Sequence, residues 1–109
     1  MDKPVVIVNP RSGGGLDERR WAAMSGDITA GLGPFDTRFT KTSGDATTIA
    51  LDEARAGRKL VVAFGGDGTI NEVAEGLLRA GGTTELGILP RGTGGDFRRT
   101  LDLPHDLGK

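Results

Sequence analysis

The segment Gly65-Gly66-Asp67-Gly68-Thr69 sets a carboxylate and a hydroxyl among glycines, directly after an apolar run. Glycine lets backbone N–H groups approach a phosphate closely, and the hydroxyl adds a side-chain donor. A helix starting there adds unpaired N–H groups and the positive end of its dipole. Asp67 is the odd member, a carboxylate where an anion is expected. A carboxylate tolerated beside phosphates calls for a bridging cation, and Mg²⁺ with its waters suits that role. Three other loops are built alike: Asn9-Pro10-Arg11-Ser12-Gly13-Gly14-Gly15, Thr40-Lys41-Thr42-Ser43-Gly44-Asp45-Ala46-Thr47, and Pro90-Arg91-Gly92-Thr93-Gly94-Gly95-Asp96-Phe97. With Ser12, Thr40, Thr69 and Thr93 as hydroxyl donors, the loops describe a polyphosphate cradle made mainly from backbone. Any one of them is explained by the need of a turn for glycine; their convergence on one edge is not.

Positioning such loops takes strands that end together. Four apolar, β-branched runs read as strands, at Val5–Asn9, Phe35–Thr40, Leu60–Phe64 and Leu86–Leu89. The first and third are nearly continuous in Val, Ile, Leu and Ala, the pattern of strands covered on both faces. Helical spacing appears between them. Leu16, Trp21, Met24, Ile28 and Leu32 form one stripe; Ile49, Ala50 and Ala54 follow Asp45; Ile70, Val73, Ala74, Leu77 and Leu78 form a third, ended by Gly81-Gly82. A last short helix is expected from Asp96, carrying Phe97 and Leu101 and stopping before Pro104. The alternation predicts a single three-layer α/β domain over residues 1–109 with a mainly parallel sheet, strands in the order 2-1-3-4. Strands 1 and 3 then flank the switch point, where open sheets bind ligands.

The 109 residues leave room for one domain, and 19 glycines far exceed the ~7% of average usage. A net charge of −1 excludes a general nucleic-acid binder. With no cysteine and one histidine, His105, neither a thiolate nor a multi-histidine metal site is available. No stretch approaches the ~18 apolar residues of a membrane span, and no secretory leader is visible, so the default expectation is a cytoplasmic protein. Neither a Walker A sequence nor a dinucleotide fingerprint is present; after Gly66 and Gly68, Asn71 stands where the fingerprint requires its third glycine.

Asn-Pro-x-Ser-Gly from Asn9, Gly-Gly-Asp-Gly-Thr-x-Asn-Glu-Val from Gly65, and Pro-x-Gly-Thr-x-x-Asp-Phe from Pro90 resemble the catalytic domain of diacylglycerol kinases, a family that includes sphingosine, ceramide and bacterial lipid kinases. The Gly-Gly-Asp-Gly core alone is shared with NAD kinases and phosphofructokinases. Order and spacing match from about Val5 to Leu103. The resemblance implies a phosphofructokinase-like, Rossmann-like N-terminal half of a two-domain kinase that moves the ATP γ-phosphoryl to a lipid hydroxyl such as that of diacylglycerol. It implies ATP contacts at Asn9, Pro10, Arg11, Ser12 and Gly13, at Thr40, at Gly66, Asp67, Gly68, Thr69, Ile70, Asn71 and Glu72, and at Thr93, with Asp67 organising phosphate or Mg²⁺. It places the general base, the remaining metal ligands and a β-rich lipid-binding domain beyond Lys109. The whole enzyme is then peripheral at the membrane and makes no integral membrane contact. Gly95 departs from the family, which usually has asparagine there. A nucleotide-binding regulatory module without chemistry and a soluble-substrate kinase of the NAD kinase type are the alternatives.

Other residues have plainer readings. Trp21 and Met24 belong to a core stripe, and Asp17, Glu18, Arg19 and Arg20 to a solvated face. Arg91, Arg98 and Arg99 are either anion clamps or exposed helix arginines.

Overall fold

A run of four apolar residues with no polar break can only sit where both faces of a sheet are covered. Val5–Val8 (β1) is such a run, and all four of its residues are buried. The computed structural model describes residues 3–10, 18–90 and 98–100. Their elements are β1, Glu18–Leu32 (α1), Asp36–Phe39 (β2), Asp45–Arg55 (α2), Leu60–Gly65 (β3), Asp67–Arg79 (α3), Glu85–Pro90 (β4) and Arg98–Thr100 (β5). They form one sheet in the order β2-β1-β3-β4-β5. The first four strands are parallel in the expected order, and β5 runs antiparallel to β4.

Alternation along the inner strands sorts side chains into two cores. Val5 and Ile7 of β1, with Val61 and Ala63 of β3, face α2 and α3 and meet Ala46, Ile49, Ala50, Val73, Ala74 and Leu77. Val6 and Val8, with Leu60, Val62 and Phe64, face α1 through Ile28, Trp21, Met24 and Leu32. Trp21 packs edge-on against Phe35 and Phe39, with ring centroids 6.4 and 5.7 Å away, as its place in the core stripe implied. β2 is the edge strand, only half covered, and accordingly polar in sequence.

The last expected helix is corrected. Arg98–Thr100 form a strand whose residues pair with Leu86, Gly87 and Ile88. Without it, the outer N–H and C=O groups of β4 would form an open edge, and three residues of backbone pairing answer that need. Phe97 and Leu101, the apolar pair behind the helical reading, lie outside the described residues.

α2 and α3 pack so closely that a side chain is excluded at one point. A Cβ on Gly76 would collide with the Thr47 carbonyl oxygen and lie 2.8 Å from the Ala50 Cβ and 3.0 Å from the Leu51 nitrogen. Two of those obstacles are backbone and cannot rotate away. Gly76→Ala gains helix propensity, worth about 1 kcal/mol, but overpacking costs typically about 1–3 kcal/mol. With backbone as the obstacle, the loss wins, and a net destabilisation of about 1 kcal/mol is expected by urea denaturation. A variant as stable as the parent would show that the two helices separate at no cost.

At the opposite end of the sheet from the glycine-rich loops, a charge network joins the elements. Arg58, 8% exposed, donates to Glu53 Oε1 at 2.7 Å, to Asp36 Oδ2 at 2.6 Å and to the Lys3 carbonyl at 2.7 Å. Arg38 takes the second Glu53 oxygen at 2.7 Å, and Lys3 lies 3.2 Å from Asp36. Burial pushes the Glu53 carboxyl up, but hydrogen bonds from Arg58 and then Arg38 outweigh it, leaving the group below its usual range. Asp36 is lowered chiefly by Arg58 and then by Lys3. Both folded values lie below the unfolded ones, so their contribution is complete above the ordinary carboxylate range of about pH 4–4.5. It fades as pH falls through the folded values. Urea midpoints should therefore drop between pH 6 and pH 3 (about two ordinary carboxylates' worth of titration), and the Glu53→Gln variant should show a smaller drop. Equal drops would remove Glu53 from the account.

Candidate functional site

Because β1, β2 and β3 run parallel, their C-terminal ends open onto the same edge. There a cavity of about 320 Å³ is walled by Asn9 after β1, by Thr40, Lys41, Thr42, Ser43 and Ala46 around the β2–α2 loop, and by Gly66, Gly68, Thr69 and Glu72 in the first turns of α3. Nine of these ten are polar residues or glycines, so the walls suit an anionic or hydroxylic ligand rather than an apolar one.

The two sides of the switch point are tied together directly. The Asn9 N–H reaches the Phe64 carbonyl at 3.4 Å, and the Asn9 side-chain amide donates to Thr69 Oγ1 at 3.4 Å. Thr69 is only 5% exposed, and Thr40 8%; the Thr40 N–H extends the β1–β2 ladder by bonding the Val8 carbonyl at 2.9 Å. Thr40 is thus set by the sheet, and Thr69, in the first turn of α3, by the Asn9 side chain.

The two helices that open on the cavity both start after a glycine N-cap without a side-chain cap bond, and differ in the loop that leads into each. α3 begins after Gly66, with no side-chain cap bond, and Gly66, Gly68 and Thr69 form that cavity wall. Its first-turn N–H groups have no intrahelical partner, and together with the dipole they make an anion site of backbone. At α2 the loop is fastened by carboxylates. Asp45 Oδ2 accepts the N–H groups of Lys41 and Thr42 at 2.7 and 2.9 Å, and Oδ1 accepts the Thr42 hydroxyl at 3.1 Å. The Thr42 amide bond, followed by that of Lys41, holds the Asp45 carboxyl below its ordinary value. Gly44, the N-cap of α2, has φ 90°, a left-handed conformation that glycine adopts without strain. Its N–H donates to Glu72 Oε1 of α3 at 3.2 Å.

Of the expected site residues, Asn9, Thr40, Gly66, Gly68, Thr69 and Glu72 come together around the cavity. Asp67 sits between two lining glycines, on the first residue of α3, with its side chain exposed and outside the wall. Ile70 packs on the α2–α3 core, Asn71 is exposed, and Pro10 is half-buried beside Asn9; none of these three lines the cavity. Arg11, Ser12, Gly13 and Thr93, with Arg91 and Gly95, lie outside the described residues. Lys41, Thr42 and Ser43 are walls that the sequence reading did not single out, although it had marked their loop. Lys41 is the one cationic side chain among the described lining residues.

Comparison with known proteins gives a consistent result. The family described as diacylglycerol kinase catalytic domain matches residues 3–109. A diacylglycerol kinase of Bacillus subtilis is 36% identical over 106 residues, covering 97% of this chain and 35% of its own length. A diacylglycerol kinase of Staphylococcus saprophyticus is 38% identical over 104 residues, covering 94% of this chain and 33% of its own length. A crystal structure of a diacylglycerol kinase from Bacillus anthracis superposes with a TM-score of 0.69 at 33% identity, over 84% of this chain and 31% of that one. The chain therefore spans about a third of the length of the curated relatives it matches.

Proposed function

Because the chain belongs to the diacylglycerol kinase catalytic-domain family, we propose that it is the ATP-binding part of a lipid kinase and that its cavity receives the nucleotide's phosphates. The observation that carries this reading is the cavity itself. Thr40, Ser43, Thr69 and Asn9, with the uncapped N-terminus of α3, line one polar space at the switch point. Such a set recognises phosphate oxygens from several directions.

In the transfer step the lipid hydroxyl oxygen forms a bond to the γ-phosphorus as the bond to the β,γ-bridging oxygen breaks, and ADP departs. The loops hold the phosphates in line and offset the charge on the transferring group. Among the described residues no group of three His, Cys, Asp or Glu side chains could hold a metal ion. Mg²⁺ bound with phosphate needs only one or two carboxylates, and Asp67 or Glu72 fits that requirement. Bound there, Mg²⁺ would neutralise charge shared between phosphates. The acceptor pocket and the base that takes the hydroxyl proton we assign to a second domain, in keeping with relatives about three times as long.

This division of labour predicts that the 109-residue chain alone, incubated with labelled ATP, Mg²⁺ and diacylglycerol in mixed micelles, yields no labelled phosphatidic acid above a slow background. A chain extended to the length of the relatives should yield it. Turnover by the short chain in the usual kinase range of about 1–100 s⁻¹ would mean that the site is complete within these residues. Absence of turnover in the extended chain, with MgATP still bound, would favour a binding module without chemistry.

A further inference from the structure

Three N–H groups of the β2–α2 loop donate to the protein's own carboxylates, those of Lys41 and Thr42 to Asp45 and that of Gly44 to Glu72. The Asp45 bonds are local and build the turn. The Glu72 bond is of another kind. It comes from a different helix, crosses the gap between the N-termini of α2 and α3, and belongs to a side chain that lines the cavity. Gly44 is not itself a lining residue, but it follows Ser43, which is; an amide at a helix N-cap beside such a space is where a phosphate oxygen would be received, and here a carboxylate oxygen occupies that bond.

We propose that Glu72 is an internal stand-in for phosphate, which satisfies the Gly44 amide until a polyphosphate arrives and which excludes that polyphosphate unless a divalent cation accompanies it. The inference rests on the polyphosphate reading above. Its physical basis is charge. A carboxylate in the wall repels a polyanion entering the same space, and Lys41 is the only lining cation among the described residues to offset it. A divalent cation arriving with the phosphates turns that repulsion into attraction, and the displaced carboxylate is then free to face the metal or its waters. The backbone of Glu72 is pinned during the exchange, because Thr47 Oγ1 donates to the Glu72 carbonyl at 2.8 Å. Only the side chain has to turn.

Glu72→Gln isolates the charge, since the amide oxygen can still accept the Gly44 N–H. Calorimetry with ATP and with inorganic tripolyphosphate, each in excess EDTA and in Mg²⁺, gives four affinities for the wild type and four for E72Q. In EDTA the variant should bind both ligands about tenfold tighter than the wild type, as expected for removal of one like charge from a partly solvated wall. Its gain on adding Mg²⁺ should shrink by a similar factor. A wild type that binds MgATP, with the same gain from Mg²⁺ in both proteins, overturns the stand-in role and leaves the polyphosphate reading intact. A folded wild type that binds neither ligand in either condition overturns both. A measurement on the wild type alone stands even if E72Q fails to fold. The Gly44 amide resonance must move as MgATP saturates the protein, because its acceptor changes; a Gly44 resonance that stays put overturns the proposal.

Discussion

Arg58→Met is expected to lower the stability of the chain by about 3 kcal/mol, the low end of the cost of breaking a buried ion pair. Arg58 is 8% exposed, and its partner Glu53 is equally buried, so removing the guanidinium leaves a carboxylate with little access to water. Arg38 still bonds the other Glu53 oxygen, and Asp36 keeps Lys3, which is why the upper end of the range is not expected. The methionine replaces the apolar stem, leaving charge as the main loss. Against a total of about 5–15 kcal/mol for a domain, the change should be plain in urea or thermal unfolding. Adding Glu53→Gln to Arg58→Met should recover part of the loss, because the stranded charge is then gone. A single-variant loss below about 1 kcal/mol, the scale of a surface pair, would mean that the network is ornamental.

The second large effect concerns catalysis in the extended enzyme. Asp67→Asn is expected to lower kcat by about 10²–10³-fold, the range seen when one electrostatic element of a transition-state site is removed. The residue opens α3 between Gly66 and Gly68, which line the cavity, and its exposed side chain packs into neither core. The substitution is nearly isosteric and should leave the unfolding midpoint unchanged. MgATP affinity should weaken and respond less to the Mg²⁺ concentration. Full turnover in Asp67→Asn would reduce the residue to part of a turn.

Some of this was legible in the sequence for a simple reason. β1 and β3 are buried on both faces, and only unbroken apolar runs survive there, so the runs at Val5 and Leu60 announce central strands. Once these are central and helices intervene, the order 2-1-3-4 and the shared edge of the loops follow; the structure bears out the order, and among the described residues Asn9 and the loops after β2 and β3 meet at that edge. β5 was not legible. Arg98-Arg99-Thr100 has no strand pattern of its own and is a strand because β4 offers it an edge. The Arg58 network was hidden because its members come from four separate elements and connections, and charge spacing along the chain says nothing of their meeting. Nothing in the sequence around Gly76 marks it as required. The contact that requires it, with Thr47, Ala50 and Leu51, exists only once α2 and α3 have packed. The same packing places Glu72 beside Gly44, and neither motif alone announces a bond to a residue of the other.

The central claim is that the cavity at the switch point receives the phosphates of ATP, and a map of backbone amide resonances during titration with MgATP tests it most directly. Saturable shifts are expected at Asn9, Thr40, Gly44, Gly66, Gly68 and Thr69, with residues around Arg58 at the far end of the sheet unmoved. Shifts confined to that far end, or none at millimolar MgATP in a folded chain, would contradict it.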